Sequence, residues 1–150
     1  MPDTKDSLDR SVRWLVYDAT MRDGVPPTSS AVAKALGISP ANVIVSFERL
    51  AAAHILVLQP ENREILMANP FSAVPTPFRV EIGKMSSYGN CIWDALGIPA
   101  MLGKDARIVT SCGDCGAAAI VQVKKDKVHG QGLLHFAIPA RLWWNNIVFT

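Results

Sequence analysis

Thr28-Ser29-Ser30-Ala31-Val32-Ala33-Lys34-Ala35-Leu36-Gly37-Ile38-Ser39-Pro40-Ala41-Asn42 holds a short helix, a glycine turn and the start of a longer helix. Val32, Ala33 and Leu36 recur at helical spacing and face inward, and Gly37 turns the chain. Ser39 then supplies an N-cap, and Pro40 takes the first helical position, where a missing N–H leaves no bond unmade. This helix is expected to run to about residue 53. Upstream, Leu8, Val12, Leu15, Val16 and Ala19 form one apolar stripe, so residues 8–22 read as a helix closed by Gly24-Val25-Pro26-Pro27. Downstream, residues 55–58 and 64–68 read as two strands joined by the turn Pro60-Glu61-Asn62-Arg63. Three helices followed by a two-stranded wing make residues 1–68 a winged-helix-like domain.

Residues 69–77 contain three prolines, which exclude a regular helix or a central strand, and they read as a linker lying along the protein surface. Residues 78–82 alternate as a half-buried strand. Further strands are expected over 106–110, 117–123 and 132–138, with a solvated turn at Lys124-Lys125-Asp126-Lys127. Pro139-Ala140 should start a short helix carrying Trp143 and Trp144, and residues 147–150 are strand-like. His135, inside an apolar strand, reads as a satisfied core histidine. The fold class is α+β: the winged-helix-like three-helix domain, then a small mixed β-sheet domain with short helices over 78–150.

With 150 residues, 49% of them hydrophobic, the chain buries a real core and is not disordered. A net charge of +2 from interspersed charges provides no polycationic face for nucleic acid and no polybasic membrane anchor. The helix that would enter a DNA groove, residues 40–49, offers Arg49 as its one cation, and Lys34 and Arg63 are isolated, so the winged helix reads as scaffold or lid. No apolar run reaches the roughly 20 residues that span a bilayer, and Met1-Pro2-Asp3-Thr4-Lys5-Asp6 is too polar for a signal peptide. The expected compartment is the cytoplasm, where three cysteines point to thiol or metal chemistry rather than disulfides.

Chemistry concentrates in Tyr88-Gly89-Asn90-Cys91-Ile92-Trp93-Asp94-Ala95-Leu96-Gly97-Ile98-Pro99. Asn90 reads as the N-cap of a two-turn helix that Gly97 and Pro99 stop. Cys91 then opens the helix, where free backbone N–H groups and the dipole favour a thiolate, and Cys91 is expected to be the most reactive thiol. Asp94, three residues on, shares its face and places a proton carrier beside a soft nucleophile. A second cluster, Ser111-Cys112-Gly113-Asp114-Cys115-Gly116, has the local form of half a zinc ribbon. No second Cys-x-x-Cys or His pair follows, which argues against a closed four-ligand zinc site within one chain.

The run from Asn90 through Gly103, followed by Ala106-Arg107-Ile108 and Ser111-Cys112, resembles the core of the alkylmercury (organomercurial) lyase family, which also carries a winged-helix-like N-terminal part. The resemblance implies protonolysis of carbon–mercury bonds: thiolates hold the mercury of a small organomercurial and an aspartate protonates the leaving carbon. By that resemblance Cys91 is the first catalytic cysteine, Asp94 the proton-handling aspartate and Cys112 a structural cysteine. No cofactor is required, Hg(II) is the bound product, and a mercury reductase is the expected recipient. The family's second catalytic cysteine belongs to a segment expected just past Thr150, so the catalytic domain reads as truncated at its C-terminus. A shortened reading frame, a selenocysteine codon read as a stop, and a divergent relative without lyase activity all fit that departure. The alternative to an enzyme is a soft-metal-binding or metal-responsive winged-helix protein in which Cys91, Cys112 and Cys115 hold one ion without chemistry.

Overall fold

The computed structural model describes residues 4–149, so the first three residues and the last residue of the strand-like run expected at 147–150 lie outside it. Helix α1 (Thr4–Asp23) packs against α3 (Pro40–Ala52), with α2 (Ser29–Leu36) beside both. The Ser39 cap and the Gly37 turn read from the sequence are present: Ser39 accepts from the N–H of Asn42 and Gly37 closes α2 in the left-handed conformation, while Thr28 lies just outside α2 as its N-cap and accepts from the N–H of Ala31. Val12, Val16, Val32, Val43 and Phe47 are fully buried in this first core, together with Leu56, Ile65 and Ala68. Ser29 donates through both its N–H and its hydroxyl to Glu64, which ties the start of α2 to the wing.

Strands β1 (Val57–Leu58), β2 (Ile65–Ala68) and β3 (Phe71–Ser72) form an antiparallel sheet in that order. β3 falls inside the proline-rich stretch. Pro70, Pro75 and Pro77 leave residues 71 and 72 free to pair, and an edge strand needs only one hydrogen-bonding side. Phe71 is fully buried, but in the second core, so the stretch is anchored between the two halves.

The second sheet, β5-β4-β6-β7-β8, is antiparallel in every pairing and comprises β4 (Arg79–Ile82), β5 (Met85–Tyr88), β6 (Ala106–Ser111), β7 (Ala118–Lys124) and β8 (Lys127–His129). The α+β class is as expected, but the sheet is antiparallel throughout where a mixed one was expected: hairpins join β4 to β5, β6 to β7 and β7 to β8, and residues 89–105 return the chain so that β6 runs antiparallel to β4. Residues 132–138 do not form the expected strand. β8 holds the place beside β7, turned back through Lys125 and Asp126 at φ +49° and +60°, and Gly132 at φ +115° leads the chain away from the sheet. Leu133 is 97% exposed as a result. The short helix with both tryptophans is present as a 3-10 helix (Ala140–Asn145), and residues 147–149 form a turn, not a strand.

Helix α4 (Ile92–Leu102) lies on the second sheet through Ala95 and Ile98, which pack with Val80, Ile82 and Ile108. It runs past Gly97 and Pro99, and Gly103 ends it in the left-handed conformation at φ +59°. Pro99 forfeits one intrahelical bond, but burial of Ile98 and Pro99 offsets the cost, so packing overrides local propensity here. Gly89 sets the height of the helix: a Cβ there would stand 2.5 Å from the Ala95 nitrogen and 2.8 Å from its Cα. No single helix among the described residues is long and apolar enough to cross a membrane.

Candidate active site

Cys91 itself is the N-cap of α4, not Asn90, and it makes no side-chain capping bond. Asn90 turns the other way, donating to Asn69 Oδ1 at 3.0 Å and to the Pro70 carbonyl at 3.4 Å, and it also supports the Asp94 carboxylate. The Cys91 thiol donates to Asp94 Oδ2 at 3.6 Å, so the one-turn spacing does bring the two groups together.

Both groups are half-buried, and burial governs their chemistry. It pushes the Cys91 thiol above its ordinary pKa. The backbone N–H groups of Asp94 and Trp93 pull the other way, while the Asp94 charge adds to the rise. The helix-terminus argument therefore describes a real contribution that desolvation outweighs. Asp94 is likewise raised, first by burial and against hydrogen bonds from Asn90 and Cys91, which favours a carboxyl that carries a proton.

The pair opens onto a cavity of about 610 Å³ whose wall includes Met67 from the first half, Asn69 from the joining stretch and Trp93, His135, Phe136, Trp143, Trp144 and Phe149 from the second half. Trp93 meets Phe136 edge-on at 6.5 Å, Phe136 meets Trp143 at 5.5 Å, and Trp144 stacks on His54 at 4.1 Å. Trp143 Nε1 donates to the Ile138 carbonyl at 2.8 Å, which fixes that part of the wall. His135 is thus neither in a strand nor in the core; it is exposed and lines the cavity. Sequence reasoning missed this wall because His135, Phe136, Trp143 and Trp144 lie 44 to 53 residues from Cys91, and no local spacing signals their return. A second groove, about 740 Å³ and open, is lined by Arg22, Asp23, Lys84 and Lys104 among others and contains no cysteine or histidine.

Cys112 and Cys115 sit together in the exposed β6–β7 connection. Backbone N–H groups of Cys115 and Asp114 and the Cys115 thiol lower the pKa of Cys112. The structure therefore pairs Cys91 with Asp94 and Cys112 with Cys115. Among the described residues, no three His, Cys, Asp or Glu side chains are grouped as a metal site, and the three cysteines do not converge.

Comparison with curated protein sequences finds no match. The crystal structure of the mercury-bound form of MerB2 aligns with TM-score 0.60 at 22% identity, over 79% of this chain. The chain spans 58% of the length of that protein, and the likeness establishes the shared fold. The MerB family model, alkylmercury lyase, matches residues 71–150. That match takes in β3, both thiol clusters and the aromatic wall, more than half of the sequence, and the chain belongs to the alkylmercury lyase family.

Proposed function

We propose that the Cys91–Asp94 pair takes an organomercurial into the aromatic cavity and protonates its carbon. The observation that carries this reading is the 3.6 Å contact between a soft sulfur and a carboxyl with a raised pKa, at the wall of an apolar cavity. As R–Hg⁺ reaches Cys91, the thiol proton passes to Asp94 and an Hg–S bond forms. A second thiolate then adds to mercury and pushes electron density onto carbon. Asp94 returns the proton to that carbon, the Hg–C bond breaks, hydrocarbon leaves, and Hg(II) stays between two sulfurs. The protein changes no oxidation state and needs no cofactor.

Cys91 is the one thiol on the cavity wall among the described residues, and an added monothiol can stand in as the second thiolate, so turnover of the 150-residue chain should rise with added monothiol. The Hg(II) leaves by further thiol exchange, a form suited to hand-over to a mercury reductase. In this reading residues 1–68 are a winged-helix-like unit serving as scaffold and lid, 69–77 the joint and 78–150 the catalytic unit, all in the cytoplasm. Two separate cores support that division, and Met67 on the cavity wall supports the lid. Against DNA reading stand the ion pairs of the candidate cations: Arg49 with Asp9 at 2.6 Å and Arg63 with Glu48 at 2.9 Å.

The test is headspace detection of benzene from phenylmercury with excess monothiol, beside mass spectrometry of the protein adduct. Wild type should release benzene, Asp94→Asn should hold phenylmercury at Cys91 without releasing benzene, and Cys91→Ser should release no benzene, whatever adduct its exposed Cys112 and Cys115 carry. Benzene release by Asp94→Asn at the wild-type rate would overturn the assignment.

A further inference from the structure

We propose that Cys112 and Cys115 form a second, solvent-facing site that takes one soft d10 cation, with Hg(II) the best match, as a two-coordinate bis-thiolate independent of the Cys91 cavity. The site is built into the sheet. The β6–β7 pairing runs unbroken from Ala106↔Val123 to Ser111↔Ala118 and delivers both ends of the loop in fixed register. Beyond it, Cys112 N–H donates to the Ala117 carbonyl at 2.8 Å and Gly116 N–H to the Cys112 carbonyl at 2.9 Å. Gly116 takes φ +71°, which an L side chain rarely adopts, so the turn between the two cysteines is held closed. Both cysteines are exposed.

The donor set selects the ion. Magnesium and calcium require oxygen ligands, and a structural zinc site requires four donors. Among the described residues no further His, Cys, Asp or Glu completes such a set around these sulfurs. Two adjacent thiolates suit a thiophilic cation that is content with two soft ligands. Binding forms two Hg–S bonds and releases two protons, with no electron transfer. Because the sulfurs are tethered, closure of the second bond is intramolecular, so a free monothiol competes poorly. The site neither cleaves carbon–mercury bonds nor uses Asp94, so it stands or falls separately from the proposed lyase reaction.

The experiment uses the full chain, reduced with a non-thiol phosphine, loaded with HgCl₂ and dialysed against excess glutathione. Retained mercury and the ultraviolet sulfur-to-mercury charge-transfer band are the readouts. Wild type and Cys91→Ser should each keep one Hg(II) per chain. Cys112→Ser and Cys115→Ser, both in an exposed turn and checked for folding by circular dichroism, should each lose affinity at least tenfold. The proposal is overturned if wild type retains nothing, if retention follows Cys91, if it persists in the Cys112→Ser/Cys115→Ser double variant, or if two chains share one ion.

Discussion

Cys91 and Cys112 both receive backbone N–H groups from the residues that follow them, yet their pKa values move in opposite directions. Around Cys91, the packing of α4 on its sheet removes water from the sulfur and from Asp94, and desolvation exceeds what the N–H groups return. Around Cys112 nothing is packed, the loop is exposed, and the same kind of N–H contact prevails. A cysteine's position along the chain therefore predicts which groups touch it, while its depth decides which contribution wins. The buried region is suited to a proton-coupled reaction and the exposed loop to direct capture of a soft ion from solvent.

The sharpest way to break this contrast is Asp94→Asn. Loss of a general acid typically costs about 10²- to 10⁴-fold in rate, whereas Cys112→Ser should leave benzene release within about twofold, since the loop takes no part in the proton transfer. Equal losses in both variants would mean the regions are not separate.

Packing offers the next test. Ile98→Ala, at a fully buried position under α4, should destabilise the fold by about 2–5 kcal/mol in urea denaturation. Ile120→Ala on β7, 49% exposed, should cost about 0.5 kcal/mol or less. Gly89→Ala falls between, at about 1–3 kcal/mol, because the obstruction is the Ala95 backbone, which cannot move without lifting α4.

Thiol reactivity sharpens the comparison further. With iodoacetamide at pH 7 and peptide mapping, Cys112 should be alkylated faster than Cys91 by about tenfold or more, since only thiolate attacks. This reverses the expectation from helix position alone, and raising the pH should narrow the gap. In Asp94→Asn, Cys91 loses the neighbouring negative charge that adds to its rise and should react faster than in wild type.

The smallest effect is a pH dependence of stability. Asp94 has a folded pKa raised above its ordinary 3.8, so the folded chain holds a proton that the unfolded chain has already released. The associated stability is full below the ordinary value and declines as pH rises through the raised one. Asp94→Asn should flatten that decline in a series of denaturation curves, and an unchanged slope would mean the carboxyl is not desolvated.

Much of this molecule was legible in the sequence wherever short-range physics governs. The cap Ser39-Pro40, the Gly37 turn, the apolar stripe of α1 and the i to i+3 meeting of Cys91 with Asp94 all depend on neighbours within one or two turns. Family membership was legible for a related reason: the Cys91 to Cys112 run is contiguous. What only the tertiary structure decided depends on partners distant in the chain. Burial of Ile98 carries α4 through Gly97 and Pro99, and β8 takes the sheet edge that residues 132–138 were expected to fill. His135, Phe136 and the tryptophans return across the chain to wall the cavity. The depth of Cys91 is likewise set by packing between distant segments, and that desolvation, which no local pattern encodes, reverses its expected acidity.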